Sequence, residues 1–343
     1  MNTNFERLGL SIDGEFAISR GARTDVETVV VRVCDDAGQT GIGAAAPTAH
    51  YGETADTVTA VLPTLLDAVE GVDDPLALGR IERRLRGTIR DNPAARAAVS
   101  VACHDLATRR LGIPLYRHLG LDPGRAPPTS YTVAIDEPEA MADTAETAVG
   151  EGYGILKVKL GTDRDRERVE AVRAAAPEAT IRVDANEAWA PPEAVAKSEW
   201  LADLGVEFVE QPVPAENPEG LRRVHERSAL PVAADESCVT LPDVPRVADR
   251  VDIVNLKLMK CGGIREAVRM VHAARAHGLE VMLGCMVEST ASIAAACHLA
   301  PLMDYVDLDG ALLLAEDPYE GPSYAGGTVA FPDRPGTGVR SIE

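Results

Sequence analysis

Lysine is scarce in this chain, and its placement indicates proton chemistry. Of 34 basic residues only five are lysines: Lys157, Lys159, Lys197, Lys257 and Lys260. Lys157 and Lys159 lie in the apolar run GILKVKLG, and alternate residues of a strand point to the same face. A buried lysine can lose its proton near neutral pH, whereas an arginine stays charged. The pair therefore indicates a removable proton, although chance placement would explain a single lysine equally well.

Three carboxylates form a second pattern. Asp184, Glu210 and Asp235 lie in the apolar runs IRVDAN, EFVEQP and VAADES, 26 and 25 residues apart. Polar loops would explain one or two of them, but charges inside apolar runs need compensation when they are buried. Three converging carboxylates repel one another unless a cation lies among them, and all-oxygen ligation suits Mg²⁺. Such an ion would stabilise the charge left when a substrate acid loses its α-proton to a lysine or histidine base.

Eight short apolar runs, separated by helical segments, must position these residues. The runs begin 21 to 28 residues apart: YTVAI at Tyr131, ILKVKL at Ile155, IRVDAN at Ile181, VEFVEQP at Val206, PVAADES at Pro231, DIVNLKL at Asp252, EVMLGCM at Glu280 and DYVDLDG at Asp304. Alternating strands and helices predict a (β/α)8-type barrel, here with an incomplete last unit because no clear helix follows Asp309.

The active site of such a barrel lies at the C-terminal ends of its strands. Polar residues occupy seven consecutive predicted strand ends: Lys157, Lys159, Asp184, Asn186, Glu210, Asp235, Lys257, Cys285, Asp307 and Asp309. Lys159 on the second strand and Lys257 on the sixth would lie across the barrel from each other. Lys157 would disfavour the protonated form of Lys159 by like-charge repulsion. Two opposed bases predict a racemase or epimerase, although one base suffices for a related elimination.

The chain divides into three segments by pattern. Residues 1–125 form a predicted α+β domain, with strand-like runs FERLGLSI, EFAIS and ETVVVRV before helices at Ala55–Val69 and Ala94–Leu111. Residues 126–312 form the barrel, which follows the linker-like APPTS. Residues 313–343 have no place in the barrel, and we expect them to return to the first domain.

Composition excludes several classes of protein. A net charge of −20 argues against a nucleic-acid partner, because phosphate contacts need a basic surface. No apolar run approaches the roughly 18 residues of a membrane span, and the start MNTNFERLGLSIDG lacks the features of a signal peptide. We therefore expect a soluble cytoplasmic protein without a membrane partner. Few lysines and many acidic residues are typical of a surface adapted to high salt. The six cysteines have no metal-ligand spacing and are predicted to be reduced.

The motifs KVK, DAN, EQP, DES and NLKLMKCGGI, in this order and spacing, resemble the enolase superfamily and its muconate-lactonizing subgroup. The resemblance covers nearly the whole chain. It implies an α/β fold, a modified (β/α)7β TIM-type barrel with an N-terminal α+β capping domain. It also implies that Asp184, Glu210 and Asp235 are Mg²⁺ ligands, and that Lys159 and Lys257 form the acid/base pair. No histidine occupies a strand end, unlike in the subgroups with a histidine base.

Within the subgroup, LGCMVES followed by DLDG resembles the dipeptide epimerases of the L-Ala-D/L-Glu type. In that family the last strand's Asp-x-Asp pair, here Asp307 and Asp309, binds the substrate's ammonium group; a solvent-facing loop pair is the alternative. HYGET and ISRGARTD also resemble stretches of these epimerases. The implied substrate-binding residues are Lys157, Asp307, Asp309, Arg20, Arg23, Tyr51, Cys285 and Glu288. Arg20 or Arg23 would bind an acidic side chain bidentately, and the sequence does not decide between them.

Other functions remain open at this point. A cycloisomerase, an o-succinylbenzoate synthase or an N-acylamino acid racemase-like enzyme would use the same lysines and metal, but would not need Asp307 and Asp309. A non-catalytic binding protein would tolerate loss of a lysine or ligand, and none is lost. A sugar-acid dehydratase would carry a histidine base. The expected partner is a small dipeptide, and the expected assembly is a homo-oligomer.

Overall fold

The computed structural model describes residues 1–342. The first domain opens with an antiparallel sheet of three strands in sequence order: β1 (Asn2–Ile18), β2 (Gly21–Cys34) and β3 (Thr40–Ala45). The runs FERLGLSI and EFAIS belong to one long strand, whose pairing with β2 is interrupted between Ser11 and Phe16. Sequence reasoning missed β3 because its glycines hide it: a Cβ on Gly43 would lie 2.3 Å from the Ala98 carbonyl oxygen, so glycine is needed for close packing.

Four helices cover this sheet and lead to the barrel: α1 (Ala55–Glu70), α2 (Leu78–Thr88), α3 (Pro93–Leu111) and α4 (Leu115–His118). The predicted helices at Ala55–Val69 and Ala94–Leu111 correspond to α1 and α3. Thr54 caps α1 by accepting a hydrogen bond from the backbone N–H of Thr57, and Pro93 occupies the first turn of α3. The arginine-rich α2 was not predicted, yet its Ile81 and Leu85 are buried on one face.

The barrel confirms the predicted fold class. Its parallel strands are β4 (Tyr131–Val133), β5 (Ile155–Lys159), β6 (Thr180–Asp184), β7 (Val206–Glu210), β8 (Val232–Ala234), β9 (Ile253–Leu256), β10 (Glu280–Gly284) and β11 (Tyr305–Asp307). They are ordered sequentially in one sheet, and a parallel bridge between Thr129 and Val306 brings its two edges together.

Helices alternate with these strands: α5 (Pro138–Gly150), α6 (Asp165–Ala175), α7 (Pro191–Asp203), α8 (Pro218–His225), α9 (Val244–Val247), α10 (Leu258–Cys261), α11 (Ile264–Ala276) and α12 (Thr290–Leu299). Within residues 1–342 no α-helix follows β11; a short 3-10 helix, Gly310–Leu313, takes its place. This is the (β/α)7β arrangement expected from the sequence. No helix in the described part of the chain is long and apolar enough to span a membrane.

The pairing of adjacent strands places the candidate catalytic residues side by side. Lys159 on β5 pairs with Asp184 on β6, and Asp184 pairs with Glu210 on β7. Each of the three ends its strand, so their side chains meet at one rim of the barrel. Asp235 follows directly after β8, and Lys257 directly after β9.

The last segment forms two small antiparallel pairs: β12 (Tyr319–Glu320) with β15 (Arg340–Ser341), and β13 (Ser323–Ala325) with β14 (Thr328–Ala330). It contacts the first domain. The backbone N–H of Ala315 donates to the Ser11 carbonyl at 3.0 Å, and that of Thr337 donates to the buried Asp105 carboxylate on α3 at 2.7 Å.

Candidate active site

A cleft lies between the first domain and the C-terminal rim of the barrel. The first domain contributes the end of β1, the turn into β2 and the loop after β3, and the barrel contributes its strand ends. Most of the residues singled out from the sequence line this cleft: Arg20, Arg23, Tyr51, Lys157, Lys159, Asp235, Lys257, Cys285, Asp307 and Asp309.

Lys159 and Lys257 lie on opposite walls. Lys159 ends β5 and Lys257 follows directly after β9, and these strands are four positions apart in the ring of eight barrel strands. The Lys159 ammonium donates to Asp184 Oδ2 at 2.7 Å, and the Lys257 ammonium donates to Asp235 Oδ2 at 2.7 Å. Burial opposes the charged form of Lys257, but the carboxylates of Asp235, Glu210 and Glu236 together outweigh burial and raise the lysine's pKa above its usual value. Each lysine is therefore held by a different carboxylate.

Lys157 has a different environment from the one expected. Its ammonium lies 2.8 Å from both Glu210 Oε2 and Asp307 Oδ2, and 3.3 Å from Asp184 Oδ2. Although burial opposes it, these three carboxylates raise the pKa of Lys157 well above its usual value. The expected repulsion of Lys159 by Lys157 stays a prediction. The contacts of Lys157 add that it is the positive centre between carboxylates of β6, β7 and β11.

Lys260 is a site residue that sequence reasoning missed. Its ammonium contacts the carboxylate and the carbonyl oxygen of Asp235, each at 2.6 Å, and the carbonyl oxygens of Asn255 at 2.8 Å and Cys238 at 3.0 Å. The sequence did hold a signal for Lys260: lysine is scarce in this chain, and Lys260 follows Lys257 by three residues. Lys157 and Lys260 show that the carboxylates have neutralising neighbours, contrary to the argument that only an external cation would relieve their repulsion.

The three carboxylates differ in their electrostatics. Burial works against ionisation of Asp184, but Lys159 and Lys157 lower its pKa to about 2. Burial also opposes ionisation of Asp235, whose pKa Lys257 and Lys260 lower below the usual range. Burial and the negative charge of Asp184 raise the pKa of Glu210. Glu210 thus carries the least compensated charge of the three, although the side-chain amide of Asn255 donates to its Oε1 at 2.7 Å.

These residues fit a hard divalent cation. Within residues 1–342, Asn186 Oδ1 and Asn255 Oδ1 are buried and accept no hydrogen bond, and the contact of the buried Glu210 Oε2 is the ion pair with Lys157 at 2.8 Å. The candidate ligand atoms are all oxygens of buried side chains, and oxygen ligands are the ones that Mg²⁺ prefers. Asp184, Glu210 and Asp235 are the residues that could hold it.

A second acidic group, His50, Glu187 and Glu236, lies at the boundary of the two domains, with ligand atoms within 4.8 Å of one another. Arg20 already compensates its charge: the guanidinium lies 3.1 Å from Glu187 and 2.8 Å from Glu236. His50 Nε2 lies 3.2 Å from the same Glu187 oxygen, Oε2. The group is an ion-pair network that joins the β1–β2 turn to loops of the barrel.

Asp307 and Asp309 form a buried acidic pair at the end of β11. Ser130 Oγ donates to Asp307 Oδ1 at 2.5 Å, and the backbone N–H of Thr132 donates to Asp309 Oδ2 at 2.6 Å. Despite burial, Lys157 lowers the pKa of Asp307. Burial, reinforced by the charge of Asp307, raises the pKa of Asp309 to about 7. Of the two carboxylates, Asp309 therefore has less positive charge near it. It also faces the cleft.

Of the three remaining residues that were predicted to bind substrate, two line the cleft and one does not. Tyr51 lines it, and burial raises the pKa of its phenol. Cys285 also lines it, and burial raises the pKa of its thiol well above the usual value. Glu288 does not line it: its carboxylate accepts hydrogen bonds from the backbone N–H of Met286 and the hydroxyl of Ser292. These two hydrogen bonds hold Glu288 inside the loop before α12, and the substrate contact expected for it stays a prediction.

Arg20, in the β1–β2 turn, and Arg23, near the start of β2, also differ in their contacts. Arg20 is engaged by Glu187, Glu236 and the Asn186 carbonyl. Arg23 is exposed, lines the cleft, and makes no hydrogen bond or ion pair within the described residues. Arg23 is thus the arginine whose guanidinium is available to a ligand.

Comparisons with known proteins agree with this architecture. The N-terminal domain family of mandelate racemase and muconate lactonizing enzyme matches residues 10–120, and the enolase C-terminal domain-like family matches residues 140–343. An L-Ala-D/L-Glu epimerase from Bacteroides thetaiotaomicron is 36% identical over 100% of this chain and 88% of its own length.

Two solved structures have the same fold. A dipeptide epimerase from Cytophaga hutchinsonii, complexed with Mg and the dipeptide D-Ala-L-Val, superposes with a TM-score of 0.94 at 30% identity, covering 99% of this chain and 95% of that one. An N-succinyl Arg/Lys racemase from Bacillus cereus superposes with a TM-score of 0.93 at 29% identity, covering 99% and 94%. With both domains matched over nearly their full length, the chain belongs to the mandelate racemase/muconate lactonizing enzyme family of the enolase superfamily.

Proposed function

We propose that this protein is an isomerase that epimerises dipeptides by 1,1-proton transfer between two lysines, with Mg²⁺ as cofactor. The observation that carries the proposal is that Lys159 and Lys257 face one cleft from opposite walls, and that the buried Asp307–Asp309 pair lines the same cleft. A relative named L-Ala-D/L-Glu epimerase and a neighbour complexed with Mg and a dipeptide support this reaction and this substrate class.

The chain's own residues divide the work. Asp309, with Asp307, would bind the ammonium group at the N-terminus of the dipeptide, because a buried carboxylate attracts a cation more strongly than a solvated one does. This contact fixes the peptide across the cleft and leaves the α-carbon of the second residue between the two lysines. One lysine takes the α-proton from one face, and the other delivers a proton to the opposite face, which inverts the centre.

Asp184, Glu210 and Asp235 would hold the cofactor. When bound, Mg²⁺ supplies positive charge that stabilises the substrate carboxylate as negative charge spreads onto it from the α-carbon. Lys157 and Lys260 keep the carboxylates of the strand ends in place: Lys157 joins Asp184, Glu210 and Asp307, and Lys260 fixes one oxygen of Asp235. Neither lysine needs to transfer a proton.

The second residue of the dipeptide is proposed to be acidic. Arg23 lies in the cleft without an ion-pair partner among the described residues, whereas Arg20 is engaged by Glu187 and Glu236. An exposed guanidinium at the cleft matches a side-chain carboxylate in geometry and charge. Tyr51 would line the same part of the site. We further expect the chain to divide into segments 1–125, 126–312 and 313–343. We also expect the protein to be cytoplasmic and to assemble as a homo-oligomer.

A racemase of N-acylated amino acids is the second candidate, supported by the likeness to the N-succinyl Arg/Lys racemase. It would use the same lysines and carboxylates. Asp307 and Asp309 argue against it, because an N-acyl group carries no cation to compensate the burial of Asp309.

A dipeptide library incubated with the enzyme and Mg²⁺ in D₂O tests the proposal. Mass spectrometry should show one deuterium at the α-carbon of the second residue, with strongest incorporation in dipeptides with a free amino terminus and an acidic second residue. Incorporation into N-succinyl or N-acetyl amino acids, with none in dipeptides, would favour the second candidate.

A further inference from the structure

The segment Asp307–Leu308–Asp309 is held by groups that lie far from it in sequence. Its central residue, Leu308, is hydrogen-bonded through both of its backbone groups. The backbone N–H of Leu308 donates to Thr129 Oγ1 at 2.7 Å, and the Leu308 carbonyl accepts a hydrogen bond from the hydroxyl of Tyr324. These groups belong to the two peptide units that join Leu308 to Asp307 and to Asp309, so their orientation fixes where the two carboxylates point.

Tyr324 reaches this peptide from the C-terminal hairpin. It lies on β13, paired with Val329 on β14, and its hydroxyl also lies 3.4 Å from the buried Cys297 thiol on α12. Since the phenol donates its proton to the Leu308 carbonyl, the thiol must be the donor in the contact with Cys297. The hydroxyl therefore donates one hydrogen bond and accepts one, and three separate elements of the fold meet at it.

The hairpin formed by β13 and β14 is also hydrogen-bonded to the stretch 129–132, which contacts both carboxylates of the acidic pair. Gly327, at its turn, accepts a hydrogen bond through its carbonyl from the backbone N–H of Thr129 at 2.8 Å. Gly327 has a φ of +78°, and a Cβ there would lie 3.0 Å from the Thr129 carbonyl oxygen. The same short stretch then provides the Ser130 hydroxyl to Asp307 and the Thr132 N–H to Asp309. Thr129 and Tyr324 thus hold the two peptide units on either side of Leu308, and the hydrogen bond between Thr129 and Gly327 connects them to each other.

We propose that Tyr324 is a positioning residue for substrate recognition: its hydrogen bond to the Leu308 carbonyl, with that of Thr129 to the Leu308 N–H, sets the two carboxylates for the dipeptide's ammonium group. The inference rests on the proposed function, because it assumes that Asp307 and Asp309 bind that group. It gives the C-terminal segment a role in specificity, although none of its described residues after Leu313 lines the cleft.

Tyr324→Phe tests this inference, because it removes the hydroxyl and keeps the ring. KM for L-Ala-L-Glu should rise about fivefold, the usual effect of losing one buried neutral hydrogen bond, while kcat changes less than about twofold. The ratio of kcat/KM for L-Ala-L-Glu to that for the N-propionyl analogue, which lacks only the amino group, should fall by a similar factor. Tyr153→Phe is the matched control: Tyr153 packs against the same hairpin turn, and its hydroxyl makes no hydrogen bond within residues 1–342.

Thr129 provides an independent test should Tyr324→Phe fold poorly by thermal melting. Thr129→Val should reproduce the higher KM, and Thr129→Ser should restore the parent value. If Tyr324→Phe and Thr129→Val fold normally and keep the parent KM and the parent discrimination, the inference is overturned. If the parent enzyme itself does not distinguish L-Ala-L-Glu from the N-propionyl analogue, the ammonium role in the proposed function fails instead, so the two failures are separable.

Discussion

Lys159, Asp184 and Glu210 occupy paired positions on three neighbouring strands, whereas Arg20 and Arg23 lie at the turn between the two long strands of the first domain. The strand-end residues are almost completely buried, and backbone pairing fixes their spacing before any side chain is considered. The turn residues are exposed, and only ion pairs or a ligand fix them. We therefore expect the barrel centre to determine the reaction and the amino-terminal contact of the substrate, and the arginines of the first domain to select its second residue.

The two lysines of the barrel centre should show the largest effects. Lys159→Ala and Lys257→Ala should each abolish epimerisation, a loss of at least about 10²–10⁴-fold for a removed acid or base. Each variant should still exchange the α-proton of one epimer, and the two variants should retain opposite epimers. Lys159→Arg should be nearly as damaging, because a guanidinium does not release its proton. The measurement is α-deuterium exchange in D₂O, run separately on each epimer.

Exchange of the same epimer by both alanine variants would contradict the two-base mechanism, as would full activity of Lys159→Arg. Lys197→Ala is a suitable control, since that lysine contacts Asp165 and Glu193 outside the cleft.

Removing the cofactor or one of its proposed ligands should have a comparable effect. Excess EDTA should abolish turnover, and added Mg²⁺ should restore it. Asp184→Asn, Glu210→Gln and Asp235→Asn should each weaken Mn²⁺ binding, which electron paramagnetic resonance measures without reference to activity. Glu210→Gln is the cleanest variant, because Glu210 carries the least compensated charge and its loss disturbs one lysine only. Unchanged turnover in EDTA would show that the carboxylates serve only to hold Lys157, Lys159 and Lys257.

An intermediate effect is expected where the barrel meets the substrate's amino terminus. Asp309→Asn should lower kcat/KM for dipeptides with a free amino terminus. The loss should correspond to about 2–5 kcal/mol of binding free energy, the usual cost of removing one partner of a buried charge pair. N-Propionyl analogues should be unaffected. Asp307→Asn should be more damaging to the fold, because Lys157 would lose one of its three carboxylates. Equal losses for free and N-propionyl substrates would mean that Asp309 does not bind the ammonium group.

The pH dependence of KM follows from the same residue. Burial raises the pKa of Asp309 to about 7, so the group is protonated below that pH and charged above it. The charged form attracts the substrate's ammonium group. KM for free dipeptides should therefore rise as pH falls below about 7, and this rise should be absent in Asp309→Asn.

The contrast between the two regions also explains what the sequence could predict. The eight strands, the missing last helix, and the lysines and carboxylates at strand ends follow from a repeat of apolar runs, because a barrel places every strand end at one rim. β3 was missed because its glycines serve close packing against α3, which no local pattern shows. The ion pair between Lys157 and Asp307 was missed for a similar reason. The two residues are 150 positions apart in sequence, and strand periodicity does not reveal contacts across the barrel interior.

The rim of the first domain provides the smallest and most specific effect. Arg23→Met should lower kcat/KM for dipeptides with an acidic second residue by about 1 kcal/mol, or about fivefold, because exposed ion pairs contribute little. Dipeptides with an alanine at that position should be unaffected, and Arg23→Lys should recover part of the loss through its charge alone. Arg20→Met should behave differently: it removes the partner of Glu187 and Glu236, so it should lower the melting temperature and impair all substrates alike. Steady-state kinetics on L-Ala-L-Glu and L-Ala-L-Ala, with thermal melting of each variant, separate the two arginines. If Arg20→Met alone changed the preference for the acidic dipeptide, the selecting residue would be Arg20, and its ion pairs would have to open when substrate binds.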